Sequence, residues 1–198
     1  MYANPEKKDE EMKKDIILCG VGGQGILSIA TVIGQAAVSA GLYIKQAEVH
    51  GMSQRGGDVQ SNLRLSDSEI YSDLIPRGKA DMIISMEPME VLRYLPYLSE
   101  DGVVVTSSKP FVNIPDYPEE AALMAELEAL PNIVKMDIEE MAREHKMAKG
   151  ANMILLGMAA RHIGILSPGQ LRDAIASIFS RKGEAVVESN QKAFDLGL

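Results

Sequence analysis

A turn rich in glycine, set between a short apolar segment and an amphipathic one, constrains the fold of this chain more than any other feature. The apolar segment covers residues 15–19, and the sequence Gly20-Val21-Gly22-Gly23-Gln24-Gly25 follows it directly. Residues 26–30 then repeat apolar side chains at helical spacing. This order predicts a strand, a tight turn and a helix. Backbone N–H groups and the positive end of the helix dipole meet at such a turn, which predicts an anion site there.

The pattern of apolar residues farther along the chain indicates an α/β fold. Apolar runs at residues 80–85 and 102–106 flank a segment with helical spacing, which predicts a βαβ unit with parallel strands. Residues 42–50 and 133–136 are expected to form two more strands. Residues 59–65 alternate apolar and polar side chains, which is typical of a strand with one exposed face.

The last third of the chain is typical of helices. Residues 152–163 are apolar nearly all round, and Ser167-Pro168-Gly169-Gln170 has the order of a capping box that begins a helix. We therefore predict an α/β fold, a Rossmann-like three-layer sandwich with a mostly parallel sheet and a helical C-terminal region. Residues 1–14 are expected to form a charged, flexible arm, and residues 15–198 a single domain.

Composition narrows the class of protein. The 198 residues carry a formal net charge of −8, which argues against nucleic acid or an anionic membrane as a partner. No apolar segment approaches the roughly 20 residues of a membrane span. The N-terminal residues contain no export signal, so a cytoplasmic location is expected. The single cysteine, Cys19, cannot form an internal disulfide or hold an iron–sulfur cluster, which takes about four thiolates. No histidine has neighbours that would complete a metal site.

A second loop with glycines lies between two predicted strands. Its residues Gln54, Arg55, Gly56 and Gly57 put an arginine fork beside two glycines, which suits recognition of a carboxylate or a phosphate. A surface turn with a solvated arginine explains the same residues equally well.

The glycine turn also allows two explanations. It has the G-x-G-x-x-G pattern of dinucleotide-binding folds, and Glu48 lies about 20 residues beyond it, where an acidic residue would bind ribose hydroxyls. A tight turn without a ligand gives the same pattern. No catalytic residue is assigned. The candidate ligand-facing or partner-facing residues are Gly20, Gly22, Gly23, Gln24, Gly25, Glu48, Gln54, Arg55, Gly56 and Gly57.

Three segments carry a resemblance to a known family. They are the glycine turn, the later Gly51-Met52-Ser53-Gln54-Arg55-Gly56-Gly57, and Ser61-Asn62-Leu63-Arg64-Leu65-Ser66. In order and spacing they resemble the gamma subunit or domain of 2-oxoacid:ferredoxin oxidoreductases. Within that family they are most similar to the small, beta subunit of the indolepyruvate ferredoxin oxidoreductases. The helical end, including residues 188–194, is also similar to that subunit.

The resemblance implies an accessory subunit, inactive alone, of an enzyme that oxidatively decarboxylates an aryl pyruvate. The products would be an acyl-CoA thioester and reduced ferredoxin, with CoA as a co-substrate. Thiamine diphosphate and iron–sulfur clusters would lie on a large alpha subunit, because this chain has neither a cysteine cluster nor a thiamine diphosphate motif. The identity of the 2-oxoacid stays open.

We hypothesise that the two glycine loops face the active-site cleft of the partner and enclose the substrate or the CoA phosphates with backbone N–H groups and Arg55. Two alternatives from other classes remain. One is a free-standing oxidoreductase that binds NAD(P) or flavin, and the other is a non-enzymatic module that binds a small anion.

Overall fold

The structure, a computed structural model, describes residues 12–50 and 57–198. Strands and helices alternate along most of the chain, and the C-terminal third is helical. The strands are β1 (Lys13–Val21), β2 (Tyr43–His50), β3 (Asp58–Ser66), β4 (Ala80–Ser85), β5 (Leu98–Ser107) and β6 (Ile133–Met136). The helices are α1 (Ile26–Ser39), α2 (Pro88–Tyr94), α3 (Glu120–Glu128), α4 (Ile138–Glu144), α5 (Ala151–Ile163), α6 (Pro168–Phe179) and α7 (Glu184–Gly197).

The six strands form one sheet in the order β2-β3-β1-β4-β5-β6. Strands β1, β4, β5 and β6 pair in parallel, which confirms the predicted βαβ unit of β4, α2 and β5. Strand β3 is antiparallel to both β1 and β2, so β2 runs in the same direction as β1. The predicted α/β class with a mostly parallel sheet is therefore confirmed. The sequence did not predict that β3 would lie between β1 and β2.

Helices cover both faces of the sheet and give three layers. Because successive side chains of a strand point to opposite faces, Ile16 and Leu18 of β1 pack in a different core from Ile17 and Cys19. The first core also contains buried residues of α1, α5, α6 and α7, and the second contains those of α2 and α3. This double burial explains the continuous apolar run of β1.

The C-terminal helices pack closely against one another. Helix α5 is buried on nearly every side, as its composition predicts, and it lies against α7 at Gly157. A Cβ atom at Gly157 would overlap the carbonyl oxygen of Phe194, and a Cβ at Gly197 would overlap that of Ile154. Helix α6 begins with the predicted capping box, in which Ser167 and Gln170 satisfy each other's backbone N–H groups.

The segment of residues 67–79 crosses from β3 to β4 and covers one face of β3. Arg64 holds it in place, because its guanidinium donates to the carbonyl oxygens of Ser72 (3.0 Å) and Leu74 (3.2 Å). The same guanidinium forms a two-point ion pair with the buried carboxylate of Asp15, at 2.8 and 3.1 Å. Asn62 Oδ1 accepts from the Ile75 N–H at 3.3 Å.

These contacts correct one expectation. The strand predicted at residues 59–65 does not have an exposed polar face, since Asn62 is 4% exposed and the Arg64 side chain is 12% exposed. Residues 67–79 cover Asn62 and Arg64 on this face, which a local alternation pattern cannot reveal. Strand β1 begins at Lys13, and residues 1–11 of the predicted arm lie outside the described residues. In the described part of the chain, no helix has both the length and the apolar character needed to span a membrane.

Candidate functional site

A cleft of about 650 Å³ opens at the edge of the sheet where the parallel strands end. Its floor lies between the ends of β1 and β4, which are neighbours in the sheet. The helices that follow these strands, α1 and α2, pack on opposite faces. Open α/β sheets bind ligands at such a switch point. The cleft is lined by Gly22, Gly23, Gln24, Gly25, Met86, Phe111, Glu139, Ala148, Lys149, Ala151 and Asn152.

The glycine turn forms one wall of the cleft, and its conformation requires glycine. Gly23 has φ +101° and Gly25 has φ +79°, both in the region that side chains disfavour. Gln24 closes the turn from within, because its side-chain Oε1 accepts from the Val21 N–H at 2.7 Å. The backbone N–H of Gln24 donates to the Val21 carbonyl at 3.1 Å. The turn is therefore fixed before any ligand binds.

Helix α1 begins at the end of this turn. Gly25 occupies the N-cap position, no side chain caps the helix, and its first turn holds no acidic residue. The Gly25 carbonyl accepts from Asn152 Nδ2 at 3.2 Å, which ties the turn to the start of α5. The positive end of the α1 dipole is thus available to an anion, and the lining of the same cleft includes one exposed cation, Lys149, and one acidic residue, Glu139.

The glycine turn contacts Gly57, the last residue of the second glycine motif. The Gly22 N–H donates to the carbonyl of Gly57 at 2.8 Å, and β3 begins opposite Val21 at Asp58. Gly57 therefore lies at the same edge of the sheet as the glycine turn. The predicted site residues Gln54, Arg55 and Gly56 lie outside the described residues.

Glu48 lies apart from the turn. It is exposed on β2, and its Oε1 accepts from Gln46 Nε2 at 2.5 Å. Glu48 pairs with Ser61 of β3, which in turn pairs with Leu18 of β1, so a whole strand separates it from the glycine turn. At about 4.8 Å per strand the sideways separation is about 10 Å. A ribose bound over β1 in the usual manner needs an acid on the adjacent strand, and β3 occupies that position.

Sequence reasoning missed the far wall of the cleft. Met86, Phe111 and Glu139 follow the ends of β4, β5 and β6. Once the order of these parallel strands is known, that position in the sequence predicts that the three residues lie near the cleft. Lys149 and Asn152 had no local signal, because Asn152 reaches Gly25 across 127 residues of sequence.

A buried carboxylate, Glu87, lies directly behind the cleft after Met86. Its Oε2 accepts from the Glu90 N–H at 3.0 Å and caps α2. Its Oε1 accepts from the Phe111 N–H at 3.4 Å and from the Tyr117 hydroxyl. Burial raises the pKa of this carboxyl above its ordinary value, and these hydrogen bonds partly offset the shift.

The residues present do not fit an iron–sulfur cluster. Cys19, the single cysteine of the sequence, is fully buried in the sheet, and burial raises the pKa of its thiol. Thiolates are the ligands of such clusters, and about four are needed. Within residues 12–50 and 57–198, no group of three His, Cys, Asp or Glu side chains is arranged to hold a metal ion.

Comparison with known proteins gives consistent matches over nearly the whole chain. The family model described as pyruvate ferredoxin/flavodoxin oxidoreductase matches residues 15–198. The indolepyruvate oxidoreductase subunit IorB of Pyrococcus horikoshii is 38% identical over 193 residues, which cover 93% of this chain and 94% of that protein.

Two solved structures have the same fold. The gamma subunit of a keto/oxoacid ferredoxin oxidoreductase from Geobacter sulfurreducens matches with a TM-score of 0.67 and 25% identity, covering 93% of this chain and 95% of that one. The 2-oxoglutarate:ferredoxin oxidoreductase of Magnetococcus marinus matches with a TM-score of 0.71 and 21% identity. That match covers 93% of this chain but 30% of the longer one.

Proposed function

Because this chain belongs to the pyruvate ferredoxin/flavodoxin oxidoreductase family, we propose that it is the small subunit of an indolepyruvate ferredoxin oxidoreductase. The similarity to the IorB subunit supports indolepyruvate, or another aryl pyruvate, as the substrate. In the overall reaction the oxoacid loses CO₂, its acyl group forms a thioester with CoA, and two electrons pass to ferredoxin. A large partner subunit supplies the thiamine diphosphate that breaks the carbon–carbon bond and the clusters that carry the electrons.

We infer that this chain contributes one wall of the shared active site. The observation that carries the inference is the hydrogen bond from Gly22 to Gly57, which joins the two glycine motifs beside the cleft. The uncapped start of α1, Lys149 and the proposed ligand Arg55 would then surround an anionic group. A substrate carboxylate and the CoA phosphates both have the required charge.

Isolation of the chain with its natural associates tests this function. We expect mass spectrometry to identify a large partner subunit with cysteine motifs. The assembly should contain thiamine diphosphate and reduce ferredoxin only when an oxoacid and CoA are both present. A panel of indolepyruvate, phenylpyruvate, pyruvate and 2-oxoglutarate then identifies the acid. A chain that purifies alone and binds NAD or flavin tightly would contradict the proposal.

The substitution Lys149→Met tests whether the cleft binds the anionic ligand. In the reconstituted complex we expect the KM for CoA or for the oxoacid to rise about tenfold, because a charge-assisted contact contributes about 1.5–3 kcal/mol and the exposed Lys149 belongs at the low end of that range. The kcat should change by less than about twofold, since this lysine would bind ground and transition states alike. Lys146→Met removes the same charge on a nearby lysine that does not line the cleft, and it should leave both constants unchanged. Equal effects of the two substitutions would exclude a specific role for Lys149.

A further inference from the structure

The segment of residues 108–117, which we term the strap, connects β5 toward α3 without regular secondary structure. It carries three exposed apolar side chains, Phe111, Val112 and Ile114. Phe111 also lines the cleft, so the strap is part of its wall. Because these side chains are exposed and the segment is irregular, its own packing does not fix its position. Contacts with residues outside the strap have to hold it in place.

Glu87 provides such an anchor from the body of the domain. Its carboxylate is 0% exposed, and one of its oxygens receives both the Phe111 N–H and the Tyr117 hydroxyl. These two donors lie in the middle and at the far end of the strap. The near end is held separately, by the Ser108 N–H on the Met136 carbonyl at 2.8 Å.

The position of Glu87 is itself fixed. Ser85 Oγ donates to the Glu87 carbonyl at 2.7 Å, and the second carboxylate oxygen caps α2 through the Glu90 N–H. The N–H groups of Glu90 and Phe111 and the Tyr117 hydroxyl therefore each donate to a carboxylate oxygen, which accepts hydrogen bonds and donates none. A buried carboxylate is costly unless it is paired in this way, so an apolar residue would serve better if filling space were its only role.

We propose that Glu87 is a positioning residue that holds the strap, and with it Phe111, against the cleft in the geometry that binds the ligand. Glu87 does not line the cleft and acts through the strap alone. The effect on catalysis rests on the proposed function, whereas the effect on the strap is a property of the chain by itself.

Two substitutions distinguish a loss of the hydrogen bonds between Glu87 and the strap from a loss of stability of the whole domain. Glu87→Gln keeps the shape of the side chain but replaces one acceptor oxygen by an NH₂ group. This group cannot accept the hydrogen bonds that the oxygen accepted. Tyr117→Phe removes one hydroxyl from the strap and leaves the cap of α2 intact. The matched control is Tyr97→Phe, because none of the described residues hydrogen-bonds to that hydroxyl and the ring packs beside Tyr94.

Hydrogen exchange of the full-length chain measures the anchor directly. The quantity to compare is the exchange rate of the Phe111 amide divided by that of the Leu18 amide in the centre of the sheet. Relative to the unmodified chain, we expect this ratio to rise at least about tenfold in Glu87→Gln and several-fold in Tyr117→Phe. Tyr97→Phe should match the unmodified chain. Unchanged relative exchange of Phe111 in both strap variants would overturn the proposal, and so would an equal acceleration of Leu18.

Kinetics of the assembled complex measure the consequence. Tyr117→Phe should raise the KM for CoA or for indolepyruvate several-fold and leave kcat within about twofold, because the strap positions ligand and performs no chemical step. A looser strap with an unchanged KM would overturn the positioning role. A complex that shows no oxoacid-dependent ferredoxin reduction even when unmodified would contradict the proposed function instead, and the exchange experiment would still decide whether Glu87 anchors the strap.

Discussion

Replacing Gly157 by alanine is expected to lower the free energy of unfolding by about 3 kcal/mol, at the upper end of the usual range for overpacking. The added Cβ would overlap the carbonyl oxygen of Phe194 and lie 3.0 Å from the Gly197 Cα. These neighbours are backbone atoms, so no change of rotamer can relieve the overlap. Helices α5 and α7 would have to move apart, and Phe194, which is fully buried, would lose part of its packing.

Urea denaturation followed by circular dichroism measures this loss, and the melting temperature should fall by about 6–12 °C for a chain of this size. Gly169→Ala is the matched control, because a Cβ there meets only Ser167 Oγ at 3.8 Å within the first turn of α6. That substitution should leave stability unchanged or raise it by less than about 1 kcal/mol. A stable Gly157→Ala variant would show that the two helices are farther apart than the structure places them.

Replacing Arg64 by methionine is expected to cost about 3 kcal/mol, the lower end of the usual penalty for breaking a buried ion pair, because Lys13 still lies beside the remaining carboxylate. Among the described residues, the Asp15 carboxylate, which is 0% exposed, would keep the partly exposed Lys13 as its ion-pair partner, at 2.7 Å. The carbonyls of Ser72 and Leu74 would lose their donor at the same time. Segment 67–79 should therefore become sensitive to proteolysis.

Denaturant titration and limited proteolysis of the same samples test both effects. Arg172→Met removes an arginine whose ion pair with Asp195 is about half exposed, and it should cost less than about 1 kcal/mol. The double substitution Asp15→Asn with Arg64→Met should recover part of the loss, because no unpaired charge remains buried. An Arg64→Met variant as stable as Arg172→Met would mean that the buried pair does not hold the crossing segment.

The sequence predicts the parts of this fold that depend on neighbouring residues. The turn at Gly25, the βαβ unit of β4 to β5 and the start of α6 at Ser167 all have local signals, namely positive-φ glycine, apolar runs and a capping box. The family could also be recognised, because its motifs occur in order along the chain.

The remaining features depend on pairings between distant residues. Nothing local to residues 59–65 indicates that β3 inserts between β1 and β2, or that residues 67–79 then bury Asn62. That insertion also decides where Glu48 lies. The far wall of the cleft is equally non-local, since Phe111 is positioned by Glu87 and Asn152 by its contact with Gly25. Such contacts become visible only when the strand order is known.

The close contact of α5 with α7 also has a consequence for folding during synthesis. Helix α5 is apolar nearly all round, yet one side of it is covered by residues 184–197, which leave the ribosome later. Until those residues emerge, the nascent chain has to carry an uncovered apolar helix beside an already formed sheet. Partly synthesised chains are prone to aggregate through such surfaces. Docking of α7 therefore covers an apolar surface of α5 that a nascent chain shorter than about 184 residues leaves exposed.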